Sequence, residues 1–162
     1  MSAPKRPRAN RKADRRASPS EISPGIFVGG WKDAEGFTGA RICVLDERPD
    51  ELDGMSGATH VPIYDGESDA PIVANLDKVA DLVKAAHRRG EPALVFCGHG
   101  IRRGSLGGAW YLHRNEGVSL DVAFERVASV RPQIERPQEW MKGWRALENG
   151  GKPVETRPTR HA

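Results

Sequence analysis

The chain has 162 residues, 38% of them hydrophobic and 29% charged, which suits one soluble domain with a core of its own. No apolar run approaches the length that spans a bilayer, and the basic N-terminus lacks the apolar stretch of a secretory signal. Two cysteines exclude a disulfide framework and point to a reducing, cytoplasmic setting in which a free thiol survives.

The net charge of +3 is unevenly spread. Residues 1–20 carry seven Lys or Arg against one Asp, which leaves 18 basic and 21 acidic side chains for the rest. The basicity therefore belongs to a tail rich in Pro, Ser, Ala and Arg, without hydrophobic periodicity and expected to be disordered. Its commonest role is a solvated extension; contact with nucleic acid or an acidic membrane is the alternative. The chain divides into this tail, a folded domain over 21–148 and a flexible end over 149–162.

Within the domain, IFVGG (26–30), RICVLD (41–46) and THVPIYD (59–65) are short and β-branched, and are predicted to be strands. Ile72, Leu76, Val79, Val83 and Ala86 recur at helical spacing, with Gly90 as the stop. PALVFC (92–97) is a continuous apolar strand of the kind buried on both faces of a sheet. Three helices are expected after it: from about Arg103, from the N-cap Ser119, and from Pro137, the last burying Trp140, Met141, Trp144 and Leu147. These elements predict an α/β fold, a single, mostly parallel sheet flanked by helices, with a helical C-terminal half.

The chemistry concentrates in VFCGHGIRRGS (95–105), where a buried strand gives way to a glycine-containing loop and then a helix. Backbone N–H groups of Gly98, His99, Gly100, Ile101 and Arg102 can turn inward on an anion, and a helix N-terminus adds partial positive charge. Cys97 lies at the floor of that cradle, where amides and guanidinium favour a thiolate. Arg103 carries a planar fork that suits two phosphoryl oxygens. Cys43 is expected to be a small core residue, with a disulfide to Cys97 as the alternative. His60 and His87 have no partners at ligand spacing, so no metal is expected.

Cys97 to Arg103, with Gly100 inside, matches C-x-x-G-x-x-R, and the chain resembles the compact dual-specificity members of the cysteine-dependent protein phosphatases from about Ile22 to Leu147. ISPGIFVGG resembles their opening strand, RICVLDE a strand ending in a turn, and GVSLDVAFERVASVRP the helix after the phosphate-loop helix. The resemblance implies that Cys97 is the nucleophile, Arg103 the phosphate clamp and Asp65, 32 positions before Cys97, the general acid. Asp69 is the second candidate for the acid, and Ser105 the candidate for easing departure of the sulfur. Two positions depart from the family: Phe96 stands where histidine is usual, and Gly104 where Ser or Thr is usual.

The expected activity is hydrolysis of phosphoprotein monoesters through a phosphocysteine. Three alternatives stay open: a phosphoinositide or small-molecule phosphatase, a phosphate-binding protein without turnover, and a rhodanese-like sulfurtransferase reading of C-x-x-G-x-R.

Overall fold

The computed structural model describes residues 18–46, 57–64 and 69–148. Its strands are β1 (Ser20–Ser23), β2 (Ile26–Gly30), β3 (Ala40–Cys43), β4 (Thr59–His60) and β5 (Ala93–Cys97). They form one five-stranded sheet in the order β1-β2-β5-β3-β4. β1 runs antiparallel to β2, and the other pairs are parallel. The expected mostly parallel sheet is present. It gains an antiparallel edge strand that begins at Ser20, inside the stretch read as tail. Residues 1–17 of that tail and the end from 149 lie outside the described residues.

β5 takes the centre because every residue of ALVFC is buried, and only a strand covered on both faces tolerates that composition. Alternation splits the strand between two cores. Val95 and Cys97 join the large helix-covered cluster, whereas Leu94 and Phe96 pack with Ala34 and Cys43 on the other face. Phe27, Trp31 and Phe37 partly cover the second cluster.

The helices are α1 (Trp31–Glu35), α2 (Asp69–Arg88), α3 (Arg103–Glu116), α4 (Leu120–Val130), α5 (Pro137–Trp140) and α6 (Arg145–Glu148). In α2 the predicted face is buried, with Ile72, Leu76, Val79, Val83 and Ala86 all at 0% exposure. α3 lies close on the sheet because it presents glycine there. A Cβ added at Gly108 would sit 2.5 Å from Val28 Cγ2, and one at Gly107 2.9 Å from Val95 Cγ1. Ser119 caps α4 as expected, its hydroxyl accepting the Val122 N–H at 3.1 Å.

The single helix expected from Pro137 is instead two one-turn helices. Met141 adopts an extended conformation (φ −109°, ψ 121°) and breaks the run. Met141, at the break, and Leu147, in the second turn, still reach the core, although the single helix does not form.

Candidate active site

β2 and β5 end side by side, with Gly30 opposite Cys97, and the 98–102 loop leaves from this edge. Ligands of parallel sheets gather at the C-terminal ends of the strands, which is where this loop lies. Trp31 N–H donates to Gly98 O at 3.3 Å, joining the start of α1 to the loop. The approach is too close for side chains. A Cβ at Gly30 would be 2.7 Å from Gly98 O, and one at Gly100 would be 2.7 Å from Gly29 C. Gly100 also has φ +71°, in the left-handed region that favours glycine.

Cys97 Sγ accepts the N–H of Gly100 at 3.3 Å and of Gly104 at 3.1 Å. Gly104 belongs to the first turn of α3, where main-chain N–H groups have no helical partner and point at the sulfur instead. The thiol is buried at 5% exposure, so these amides act on it without competing water.

Arg131, just past the end of α4, holds the loop from behind. Its guanidinium is 1% exposed. Nη2 donates to His99 O at 2.8 Å and Nε to Gly100 O at 2.9 Å. In a trans peptide the C=O and the following N–H point in opposite directions. Drawing the His99 carbonyl outward therefore turns the Gly100 N–H inward, where it meets Sγ. Nη1 donates to Ser18 O at 2.8 Å and Ser20 Oγ at 3.0 Å, which ties the loop to the edge strand. Burial lowers the Arg131 pKa, opposed by the charges of Asp33 and Cys97. Asp33 Oδ2 accepts the Gly30 N–H at 2.8 Å. Burial holds the Asp33 carboxyl above the usual carboxylate range, against the pull of that bond and of Arg131.

Arg103 opens α3. Its Nε donates to Ile63 O at 2.6 Å, and its Nη2 lies 3.8 Å from Asp46 Oδ2. Arg102 is exposed and pairs with Glu135 at 2.8 Å. His99 is exposed and Ile101 is half-buried.

Ser105 requires a correction. Its hydroxyl donates to Ile101 O at 2.8 Å and Arg102 O at 3.0 Å, and makes no bond to Sγ. A serine in the first turns of a helix commonly bonds back in this way. The position facing the sulfur is Gly104, where an added Cβ would lie 3.2 Å from Sγ. Phe96 is fully buried on the opposite face of the sheet from Cys97. Cys43 shares that opposite face, paired in register with Phe96, so the two cysteines point apart and form no disulfide. Asp65 lies outside the described residues, as does the side chain of Asp69, the first residue of α2.

A thiol ringed by amides, beside an arginine, at the C-terminal edge of a parallel sheet is equipped for attack on an oxyanion ester. Residues 44–149, more than half of the chain, match the family model described as dual specificity phosphatase, catalytic domain.

The chain belongs to the dual-specificity phosphatase family.

Its relatives include human dual specificity phosphatase 28, 30% identical over 127 residues, with 74% of this chain and 72% of the relative covered. The mouse protein of the same name is 31% identical over 124 residues, covering 72% and 75%. The crystal structure of human DUSP28 superposes with a TM-score of 0.66 at 26% identity, covering 82% of this chain and 92% of that one. The protein is thus a dual-specificity protein phosphatase, a cysteine-dependent hydrolase whose substrates are phosphorylated proteins, and the sulfurtransferase reading falls. Among the described residues no helix is long and apolar enough to cross a membrane.

Arg131 was missed in the sequence because nothing local marks it. Its signal is weak: a lone arginine between a β-branched helix end and Pro132.

Proposed function

We propose that Cys97 is the nucleophile of this dual-specificity phosphatase, Arg103 its phosphoryl clamp and Asp65 its general acid. The observation that carries the assignment is the convergence of the Gly100 and Gly104 N–H groups on Cys97 Sγ. In the first step the thiolate attacks phosphorus, and a P–S bond forms as the ester P–O bond breaks. Asp65 gives its proton to the leaving oxygen. The backbone two residues before Asp65 is engaged by the proposed clamp, since Ile63 O accepts the Arg103 Nε–H. In the second step water attacks the phosphocysteine and passes a proton to Asp65. Inorganic phosphate leaves, and the sulfur departs as thiolate. With no hydroxyl at position 104, the amides of Gly100 and Gly104 take up the charge on the departing sulfur.

Phosphotyrosine and phosphoserine or phosphothreonine in proteins are the proposed esters. Arg102, the second cation of the loop, is neutralised by Glu135, which favours a single phosphoryl group over the several of a phosphoinositide. The test is hydrolysis of an aryl phosphate and of a phosphotyrosyl peptide by the wild type and by Cys97→Ser. The variant should lose turnover and still bind vanadate; near-wild-type rates in it overturn the assignment.

A further inference from the structure

The guanidinium of Arg103 is held on three sides. Nε bonds to Ile63 O, Nη2 faces Asp46, and the indole of Trp140 lies 5.7 Å from Cζ, within cation–π range. The indole is itself anchored. Trp140 Nε1 donates to Glu135 O at 3.3 Å, and the Glu135 N–H donates to Ile101 O at 3.0 Å inside the loop. Trp140 is thus tied through one residue to the cradle whose arginine it covers. The break at Met141 ends α5 at Trp140.

Nε and Nη2 face Ile63 O and Asp46, and Nη1 has no protein partner among the described residues. An unheld arginine loses much rotamer freedom when it binds; one already clasped has lost it on folding.

Given Arg103 as the clamp, we infer that Trp140 is a positioning residue that holds the Arg103 guanidinium in place for the phosphoryl group. Its contribution grows as charge builds on the equatorial oxygens, so it acts on kcat as well as on affinity.

The test uses the full chain with Trp140→Phe, which keeps a π face, and Trp140→Leu and Trp140→Met, which do not. Three quantities are measured: inhibition by inorganic phosphate, kcat/KM on an aryl phosphate, and the pH profile of Cys97 alkylation by the neutral reagent iodoacetamide. The leucine variant should bind phosphate about tenfold more weakly and lose kcat/KM by a similar factor, while the phenylalanine variant stays within about twofold. The methionine variant takes the place of leucine if leucine folds poorly. Alkylation should be unchanged in all of them, because the amides at the sulfur are untouched. On an Arg103→Lys background, Trp140→Leu should add little. The inference is overturned if both aliphatic variants bind phosphate like the wild type. It is also overturned if alkylation shifts along with affinity, or if the loss persists in full without Arg103. If Arg103→Lys itself leaves phosphate affinity intact, the clamp assignment fails instead.

Discussion

Replacing Arg131 by methionine keeps roughly the length of the side chain and removes every donor it offers the loop. His99 O and Gly100 O then lose their partner in a site that water does not reach easily, and Ser18 O and Ser20 Oγ lose theirs at its margin. Each buried acceptor left unsatisfied costs about 1–3 kcal/mol. Asp33, half-buried, loses the cation that opposes its desolvation. Against these losses stands the desolvation of a guanidinium at 1% exposure, which methionine does not incur. The balance is a destabilisation of about 3–5 kcal/mol, the range for removing one partner from a buried charged network. A domain with 5–15 kcal/mol in hand remains folded at 25 °C after that loss. Urea unfolding followed by tryptophan fluorescence gives the free energy, and kcat/KM on an aryl phosphate is then read where the variant is fully folded. Activity should fall at least about 100-fold there, because the His99–Gly100 peptide is free to rotate its N–H away from the sulfur. A loss below about 1 kcal/mol refutes the reasoning, as does a destabilised variant whose folded molecules keep wild-type kcat/KM.

At position 104, alanine places a methyl group 3.2 Å from Sγ and should slow turnover about tenfold, whereas serine adds a hydroxyl beside the sulfur and should break down the phosphoenzyme faster than alanine; equal rapid-quench rates in the two argue against it. Ser105→Ala should cost about 1 kcal/mol of stability and leave phosphoenzyme breakdown unchanged, since its hydroxyl serves loop carbonyls. Asp33 has a raised folded pKa, so its favourable contribution is complete below the unfolded pKa and is lost as pH rises through the folded one. Wild-type stability should accordingly gain on Asp33→Asn as pH falls from neutral into the carboxylate range, in urea midpoints measured across that window; parallel curves speak against the shift. Asp65→Asn should lower kcat on phosphotyrosine by about 10²–10⁴ and much less on an ester of a strongly acidic phenol, with Asp69→Asn showing neither effect. The opposite pattern would move the acid to Asp69.

What the sequence made legible was local. The apolar run at 93–97, the helical face from Ile72 to Ala86 and the Ser119 cap each follow from residues within one turn or one strand, and the structure has them where expected. The Cys97–Arg103 spacing likewise identified the loop, because a cradle built from consecutive N–H groups is written consecutively. Three features were not legible, each for a distinct reason. β1 is short and polar apart from Ile22, and its pairing with β2 comes from adjacency across a turn rather than from its own pattern. Arg131 acts on residues more than 30 positions away, so only the fold makes it part of the site. Ser105 misled because one residue of helical rotation, invisible in spacing, separates a hydroxyl facing carbonyls from a position facing sulfur.

The placement of the two cysteines on opposite faces of the sheet sets how the protein meets oxidants. Peroxide converts a reactive thiolate to sulfenic acid, which a second thiol traps as a reversible disulfide or a backbone nitrogen as a sulfenamide; untrapped, it is oxidised on to the irreversible sulfinic state. Cys43 is separated from Cys97 by the thickness of the sheet, and the chain has no third cysteine. The resolving thiol must therefore come from another molecule. Rescue as a disulfide is then governed by how quickly small thiols in the surroundings reach Cys97.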